Sequence, residues 1–397
     1  MREICNNMSE KNTRYVAKTM MGMEPLVAEE LKELGAKNIQ EKRRAVFFEG
    51  DLELLYRANL ELRCAVSILK PLFWFRAHKE SVLYKQIGMF DWMSVMDLDQ
   101  TFAITSSVHS EFFNHSKYVA LKAKDAIVDM FREHLGERPN VDPVNPNIKI
   151  NIHVNDADFD ISLDSSGDGL HKRGYRQSGH GAPLNEVLAA GMIKISSWTP
   201  EKPFLDPMCG SGTLALEACM VSTNTPANVL RKEFGFMNWK NYDEELFLKV
   251  KKEAIARITK PKAPILGTDG NYKAIEIAED AAKELGFSEH ISFQKTMFSD
   301  LEYTGEPGTI IMNPPYGERL NTLDVLSLYK GVGDKLKSDF DGFDAWIISS
   351  NKEAFKNVGL RPSRKIPLMN GPLECKFIKY EMYRGSKKAK FQTKPSE

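Results

Sequence analysis

Two hydrophobic periods alternate along the chain. From residue 14 to 63, RYVAKTM and AVFFEG read as strands, and between and after them EPLVAEELKELGA and LELLYRANLEL carry apolar positions every three or four residues. A period of two puts every second side chain on one face of a strand, and a period of 3.6 draws an apolar stripe along a helix. The segment is therefore read as a small α/β unit. A second such unit follows. It runs through VSILKPLFWF, a helical KESVLYKQIGMFDWM, the strand TFAITSSV, the amphipathic KYVALKAKDAIVDMFREHLG, and the strands IKINIHV and DFDISLD, ending near Asp164.

Beyond Asn185 the alternation lengthens: helix EVLAAGMIKISSW, strand PFLDP, helix TLALEACMV, strand ILGTD, helix KAIEIAEDAAKELG, strand ISFQK. Helix and strand in strict turn predict a parallel sheet wound on both faces. TIIMNPPYG, a helical DVLSLYKGVGDKLK, DAWIISS and PLMNGPLECKFIKYEMY continue it, the last as a closing β-hairpin. Between the halves, SSGDGLHKRGYRQSGHGAPLN is rich in Gly and Ser and holds Lys172, Arg173 and Arg176, so it is read as a linker with a basic edge. Residues from about 178 onward are then expected to stand alone. An insertion between Cys219 and Ile265 carries its own helix, DEELFLKVKKEAIARI, and receives no role.

Composition narrows the picture. At 397 residues the length favours two or three domains, and 42% hydrophobic with 27% charged residues is ordinary for a packed chain. The 54 basic and 54 acidic residues cancel, so nucleic-acid binding has to be built from local patches. Five cysteines without a CxxC pair read as reduced thiols, and no metal site is expected. The N-terminus lacks a signal-peptide h-region and no apolar run is long enough to span a bilayer, so a cytoplasmic protein with no membrane partner is expected.

Chemistry concentrates at three strand ends. FLDPMCGSGTLALEA puts Asp206 at the carboxyl end of a strand, followed by Pro207 and a turn through Gly210, Ser211 and Gly212 into a helix that starts at Thr213. That edge is where open α/β sheets bind ligands, and small residues let backbone approach them. The loop fits neither GxGxxG nor a P-loop, since no Lys follows Gly212. Asp269, closing ILGTD, can accept from both hydroxyls of a ribose or cap the next helix. IIMNPPYGERL delivers Asn313, Pro314, Pro315 and Tyr316 to the same edge. Two prolines without N–H groups hold the backbone extended, leaving the Asn oxygen and a backbone carbonyl to accept from an exocyclic amine while Tyr316 stacks on its ring.

DPMCGSGTLALEA, then GTD, then NPPYGERL resembles a class I S-adenosylmethionine-dependent methyltransferase acting on an amino nitrogen. With the N-terminal half and HKRGYRQSGHGAPLNEVLAA, the chain resembles the RlmL-like 23S rRNA guanine-N2 methyltransferases, THUMP-containing class I enzymes, from about Arg14 to Tyr383. The resemblance implies an α/β fold with a Rossmann-like methyltransferase domain behind α+β ferredoxin-like and THUMP domains. The expected division is a polar leader (1–12), a ferredoxin-like domain (13–65), a THUMP RNA-binding domain (66–165), a linker (166–184), the methyltransferase domain (185–385) and a basic tail (386–397).

The resemblance also assigns roles. Asp206, Pro207, Gly210, Ser211, Gly212 and Thr213 are to line the methionine part of the cofactor, Asp269 the ribose, and Asn313 to Tyr316 the guanine, with Asn313 also at the cofactor. Arg173 and Arg176 are placed near cofactor or RNA. Arg76 and Lys79, interleaved with the aromatics of FWFRAHK, join them as RNA-binding candidates, with Phe73, Trp74 and Phe75 weighted toward the core. The substrate implied is 23S rRNA or a precursor ribosomal particle. A tRNA guanine and a non-catalytic RNA-binding protein are the alternatives. Longer fused relatives carry a second methyltransferase domain, so only the guanine-N2 activity is implied. Where an acid is expected near the adenine, ISFQKTMFSD offers Met297, with Asp300 a poor substitute.

Overall fold

A computed structural model describes residues 13–176, 184–315 and 322–383. The chain divides into two units. One comprises the chain up to Thr19, Val27–Lys172 and Arg231–Glu253; the other comprises Met20–Leu26, Arg173–Leu230 and the chain from Ala254 onward.

The first unit runs β1 (Thr13–Thr19), α1 (Glu24–Glu33), β2 (Lys37–Lys42), β3 (Ala45–Gly50), α2 (Leu52–Glu61) and β4 (Ala65–Arg76). It continues through α3 (Glu80–Gly88), β5 (Phe102–His109), α4 (Ser116–Leu135), β6 (Ile148–Asn155) and β7 (Asp158–Asp164). Among the described residues these strands form one seven-stranded sheet in the order β2-β3-β1-β4-β7-β6-β5. The two α/β pieces share β4, which pairs with β1 through Ala65 to Leu69 and with β7 through Leu69 to Arg76. Pro71, which has no N–H for the ladder, lies at the register shift within the β4–β7 pairing. Asp51 starts α2 by accepting the Leu54 N–H at 2.9 Å, and the helix buries Leu54, Leu55, Ala58 and Leu60.

The sequence insertion contributes Arg231–Glu253 to this first unit. Tyr56 of α2 lies 4.6 Å from Phe236, centroid to centroid, and Phe234, Tyr242 and Phe247 complete the aromatic cluster. The Phe236 N–H donates to the Ser165 carbonyl at 2.9 Å. The buried Arg231 guanidinium donates to the carbonyls of Ser166 (2.9 Å), Gly169 (2.9 Å) and Asp168 (3.1 Å). The buried Ser165 and Ser166 hydroxyls donate to the Ile68 carbonyl and the Asn59 side-chain oxygen. The expected linker is thus packed structure as far as Arg176, because its polar groups find partners instead of water; residues 177–183 lie outside the described residues.

The second unit contains α5 (Glu186–Ser196), β8 (Phe204–Asp206) and α6 (Thr213–Ser222); α7 (Glu244–Ala256) belongs mostly to the first. Then come β9 (Ile265–Asp269), α8 (Tyr272–Glu284), β10 (Ser292–Lys295), β11 (Thr309–Met312), α9 (Thr322–Asp339), β12 (Asp344–Ser349), α10 (Lys352–Asn357), β13 (Arg364–Asn370) and β14 (Leu373–Glu381). The sheet order among the described residues is β10-β9-β8-β11-β12-β14-β13. The first five strands are parallel, and β14 runs antiparallel to both β12 and β13 as the closing hairpin. Leu205, Ile310, Met312, Tyr329, Leu336, Ile347 and Tyr380 belong to its core. No helix of the described residues is long and apolar enough to cross a membrane.

Candidate active site

The strand order reverses at β8, which has β9 on one side and β11 on the other. At such a switch point the loops leaving the carboxyl ends diverge and open a crevice. β8 ends on Asp206, β9 on Thr268 and Asp269, and β11 leads into Asn313.

The loop after β8 is tied down by its backbone: the Cys209 N–H donates to the Thr268 carbonyl and the Gly212 N–H to the Cys209 carbonyl, both at 2.9 Å. Gly210 (φ +53°) and Gly212 (φ +77°) are left-handed. A Cβ on Gly212 would lie 2.8 Å from the Ala278 Cβ, whereas one on Gly210 would meet nothing within 4 Å, so the open side of the loop is at Gly210. Gly212 offers no side chain to cap α6. The first N–H groups of that helix are thereby left to a carboxylate at its N-terminus.

Four acceptor atoms on three residues lack partners. Both Asp206 carboxylate oxygens, Thr268 Oγ1 and Asn313 Oδ1 are buried and make no hydrogen bond of ordinary geometry among the described residues, although the Met208 backbone N–H approaches Asp206. Burial, reinforced by the neighbouring Asp269, holds the Asp206 carboxyl well above the usual carboxylate range. Buried orphan acceptors cost about 1–3 kcal/mol each, a penalty relieved by a ligand bearing N–H or O–H groups. Asp269 is already engaged: Oδ2 accepts the Gly210 N–H at 3.0 Å and Oδ1 the Asn271 N–H at 2.8 Å. It is not the cap of α8; Asn271 is, accepting the Lys273 N–H at 3.0 Å. Each Asp269 oxygen keeps a further lone pair for a ribose hydroxyl.

Pro207 and Thr213 are buried and Ser211 is half-buried in the same loop; past Asn313, Pro314 is buried and Pro315 exposed. Tyr316 and the tail from 384 lie outside the described residues. Met297 is exposed with its side chain over Gly270, next to Asp269, and Asp300 is exposed in the following turn.

The linker arginines face inward. Arg173 is buried and pairs with the equally buried Glu217 at 3.3 Å, so it offers RNA no surface. Arg176, partly exposed, donates to Thr213 Oγ1 at 2.9 Å and pairs with Glu186 at 3.0 Å, which ties it to the end of the loop after β8. Arg76 is exposed, paired with Asp158 at 2.9 Å, and Lys79 is exposed at the start of α3. Of the first aromatics, Phe73 and Phe75 are core and Trp74 is exposed. Thr268, Tyr175, Glu186 and Glu217 escape sequence reading: Glu217 meets Arg173 and Tyr175 across more than 40 residues, Glu186 meets Arg176 only once the strap is folded back, and Thr268 stands out only by its buried hydroxyl.

A doubly wound sheet whose switch point carries an Asp, a glycine turn, a ribose-competent Asp and an Asn-Pro-Pro strand end defines a class I methyltransferase. Family comparison supports this. Residues 173–379 match the RMKL-like methyltransferase domain, 14–69 the RlmL ferredoxin-like domain and 77–164 the THUMP domain. The chain belongs to the RMKL-like methyltransferase family, the S-adenosylmethionine-dependent RNA methyltransferases of the RlmK/L type. It is 38% identical over 372 residues to a Synechocystis protein provisionally named an RNA methyltransferase, covering 93% of this chain and 97% of that one. It is 36% identical over 381 residues to the ribosomal RNA large subunit methyltransferase K/L of Syntrophotalea carbinolica, covering 93% of this chain and 53% of that one. Thus it spans about half the length of the latter relative. A solved methyltransferase in complex with SAH superposes with a TM-score of 0.84 at 29% identity, over 96% of this chain and all of that one. The residues fit S-adenosylmethionine: the orphaned acceptors suit an ammonium, the uncapped α6 a carboxylate, and Asp269 a ribose.

Proposed function

We propose that the chain transfers the methyl group of S-adenosylmethionine to the exocyclic N2 of a guanosine in 23S rRNA, presented as RNA or as a precursor particle in the cytoplasm. The carrying observation is Asn313 Oδ1 just past the end of β11, buried and without a partner among the described residues, and followed by a proline with no N–H of its own. Asp206 and the Pro207–Thr213 loop hold the methionine part of the cofactor, and Asp269 holds the ribose. The bound cofactor supplies an electrophilic methyl on a sulfonium. The protein's own work is orientation. Asn313 Oδ1 and the Pro314 carbonyl accept the two N–H groups of the guanine amine and hold its nitrogen in line for attack, with Tyr316 against the ring. The amine's lone pair is delocalised into the base, and acceptors on both N–H groups favour the geometry that frees it. Once the nitrogen carries the methyl group and positive charge its proton is acidic enough to pass to water, so no strong base is required.

The test is a map of modified guanosines in RNA from cells lacking the protein. One 23S position loses N2-methylguanosine and regains it with the wild-type gene. A loss in tRNA instead moves the substrate to the tRNA reading, and no loss in any RNA removes the guanine assignment. In single-turnover assays Asn313→Ala cuts methyl transfer at least about 100-fold with cofactor affinity nearly intact, since orientation alone is removed.

A further inference from the structure

The sequence HKRGYR lays a strap of polar side chains against α6. Arg173 Nε donates to Glu217 Oε1 at 3.3 Å and Tyr175 Oη donates to the same oxygen at 3.2 Å. Arg176 Nη2 donates to Thr213 Oγ1 at 2.9 Å and to the Leu184 carbonyl at 3.1 Å, while Nη1 pairs with Glu186 Oε1 at 3.0 Å. Thr213 and Glu217 stand one turn apart, and i,i+4 residues share a helix face. Both are buried, so they form a polar stripe on the first half of a helix whose other polar residue, Ser222, is at its far end. Buried charge pairs are a poor means of adding stability, since apolar residues of the same volume often do as well. A stripe aimed at the first turn behind a ligand loop has a geometric use instead.

We propose that Arg176 is a positioning residue for the cofactor: through Thr213 it sets where the first turn of α6 and the Gly210–Gly212 loop meet the methionine end. Gly212 has no side chain to fix that turn. The guanidinium does so from outside, and its planar fork reaches the hydroxyl, the carbonyl and the Glu186 carboxylate at once, which a lysine ammonium does not. Burial pushes the Glu186 carboxyl up and Arg176 opposes that shift, consistent with the pair holding its charge in place. The inference rests on the cofactor assignment and is independent of which RNA is methylated.

SAH binding to the full-length protein, measured by calorimetry beside thermal unfolding without ligand, tests it. Thr213→Val keeps the shape of the side chain and removes the hydroxyl. It is expected to weaken SAH about tenfold with an unliganded melting temperature close to wild type. Arg176→Lys is expected to weaken SAH at least as much. The double variant should match Arg176→Lys within about twofold, because both changes break one link. Unchanged SAH affinity in Thr213→Val, or single effects that multiply in the double variant, overturns the proposal. Wild-type protein that takes up no SAH overturns the cofactor assignment along with it.

Discussion

Asp269 holds the Gly210 and Asn271 N–H groups before any ligand arrives, so its removal slackens the glycine loop as well as deleting a ribose acceptor. Asp269→Ala is expected to weaken SAH by about 2–3 kcal/mol, and Asp269→Asn, which keeps one acceptor, by about 1 kcal/mol; calorimetry on both checks the order. Asp164 gives a pH signature. Burial, partly offset by Lys149, pushes its carboxyl up to about 6. Between an unfolded value near 4 and that folded value, the folded chain keeps a proton that the unfolded chain releases. The contribution to stability is present below about pH 4 and is lost as pH rises through about 6, amounting to about 2–3 kcal/mol. Asp164→Asn should therefore gain on wild type as pH rises from 4 to 6.5 in thermal melts; a constant difference across that range would contradict the assignment. The placement of Asp206 and Asp269 at strand ends was legible from sequence, because short apolar runs ending on an acid mark where each strand stops. Arg173 was misread because an arginine in a Gly- and Ser-rich stretch looks solvated until Glu217, 44 residues away, is found beneath it.

At the scale of elements, the turn from β8 into α6 is tightly constrained. Gly212→Ala places a methyl 2.8 Å from the Ala278 Cβ at a left-handed φ, so α8 or the loop has to move. A loss of about 1–2 kcal/mol from backbone strain alone, plus the clash, is expected in urea melts, with SAH affinity falling in parallel. Long periodic helices and apolar strands were read correctly along the chain. β2 was not, because KNIQEK has no apolar alternation and is almost wholly exposed; its pairing to β3 makes it a strand. α10 escaped notice as a six-residue helix, begun by Asn351 accepting the Glu353 and Ala354 N–H groups.

For the whole molecule, the expectation that residues from about 178 stand alone is withdrawn. A cut there strips Arg173, Tyr175 and Arg176 from Glu217, Thr213 and Glu186, leaving buried carboxylates without their cations. Breaking a buried pair typically costs about 3–5 kcal/mol, and the fragment also exposes Phe234, Phe236 and Phe247, whose packing needs Tyr56. Such a fragment should show no cooperative calorimetric transition; a sharp one would show that the strap is dispensable. The same crossing of the chain sets a timetable for synthesis. As the polypeptide leaves the ribosome, the N-terminal sheet emerges through Asp164 with its aromatic cluster still short of Phe234, Phe236, Tyr242 and Phe247. At about 5–20 residues per second, several seconds of translation separate the last strand of that sheet from the residues that finish its core. The nascent chain is thus obliged to hold an incomplete apolar surface while the first strand of the catalytic sheet and its glycine loop are being made.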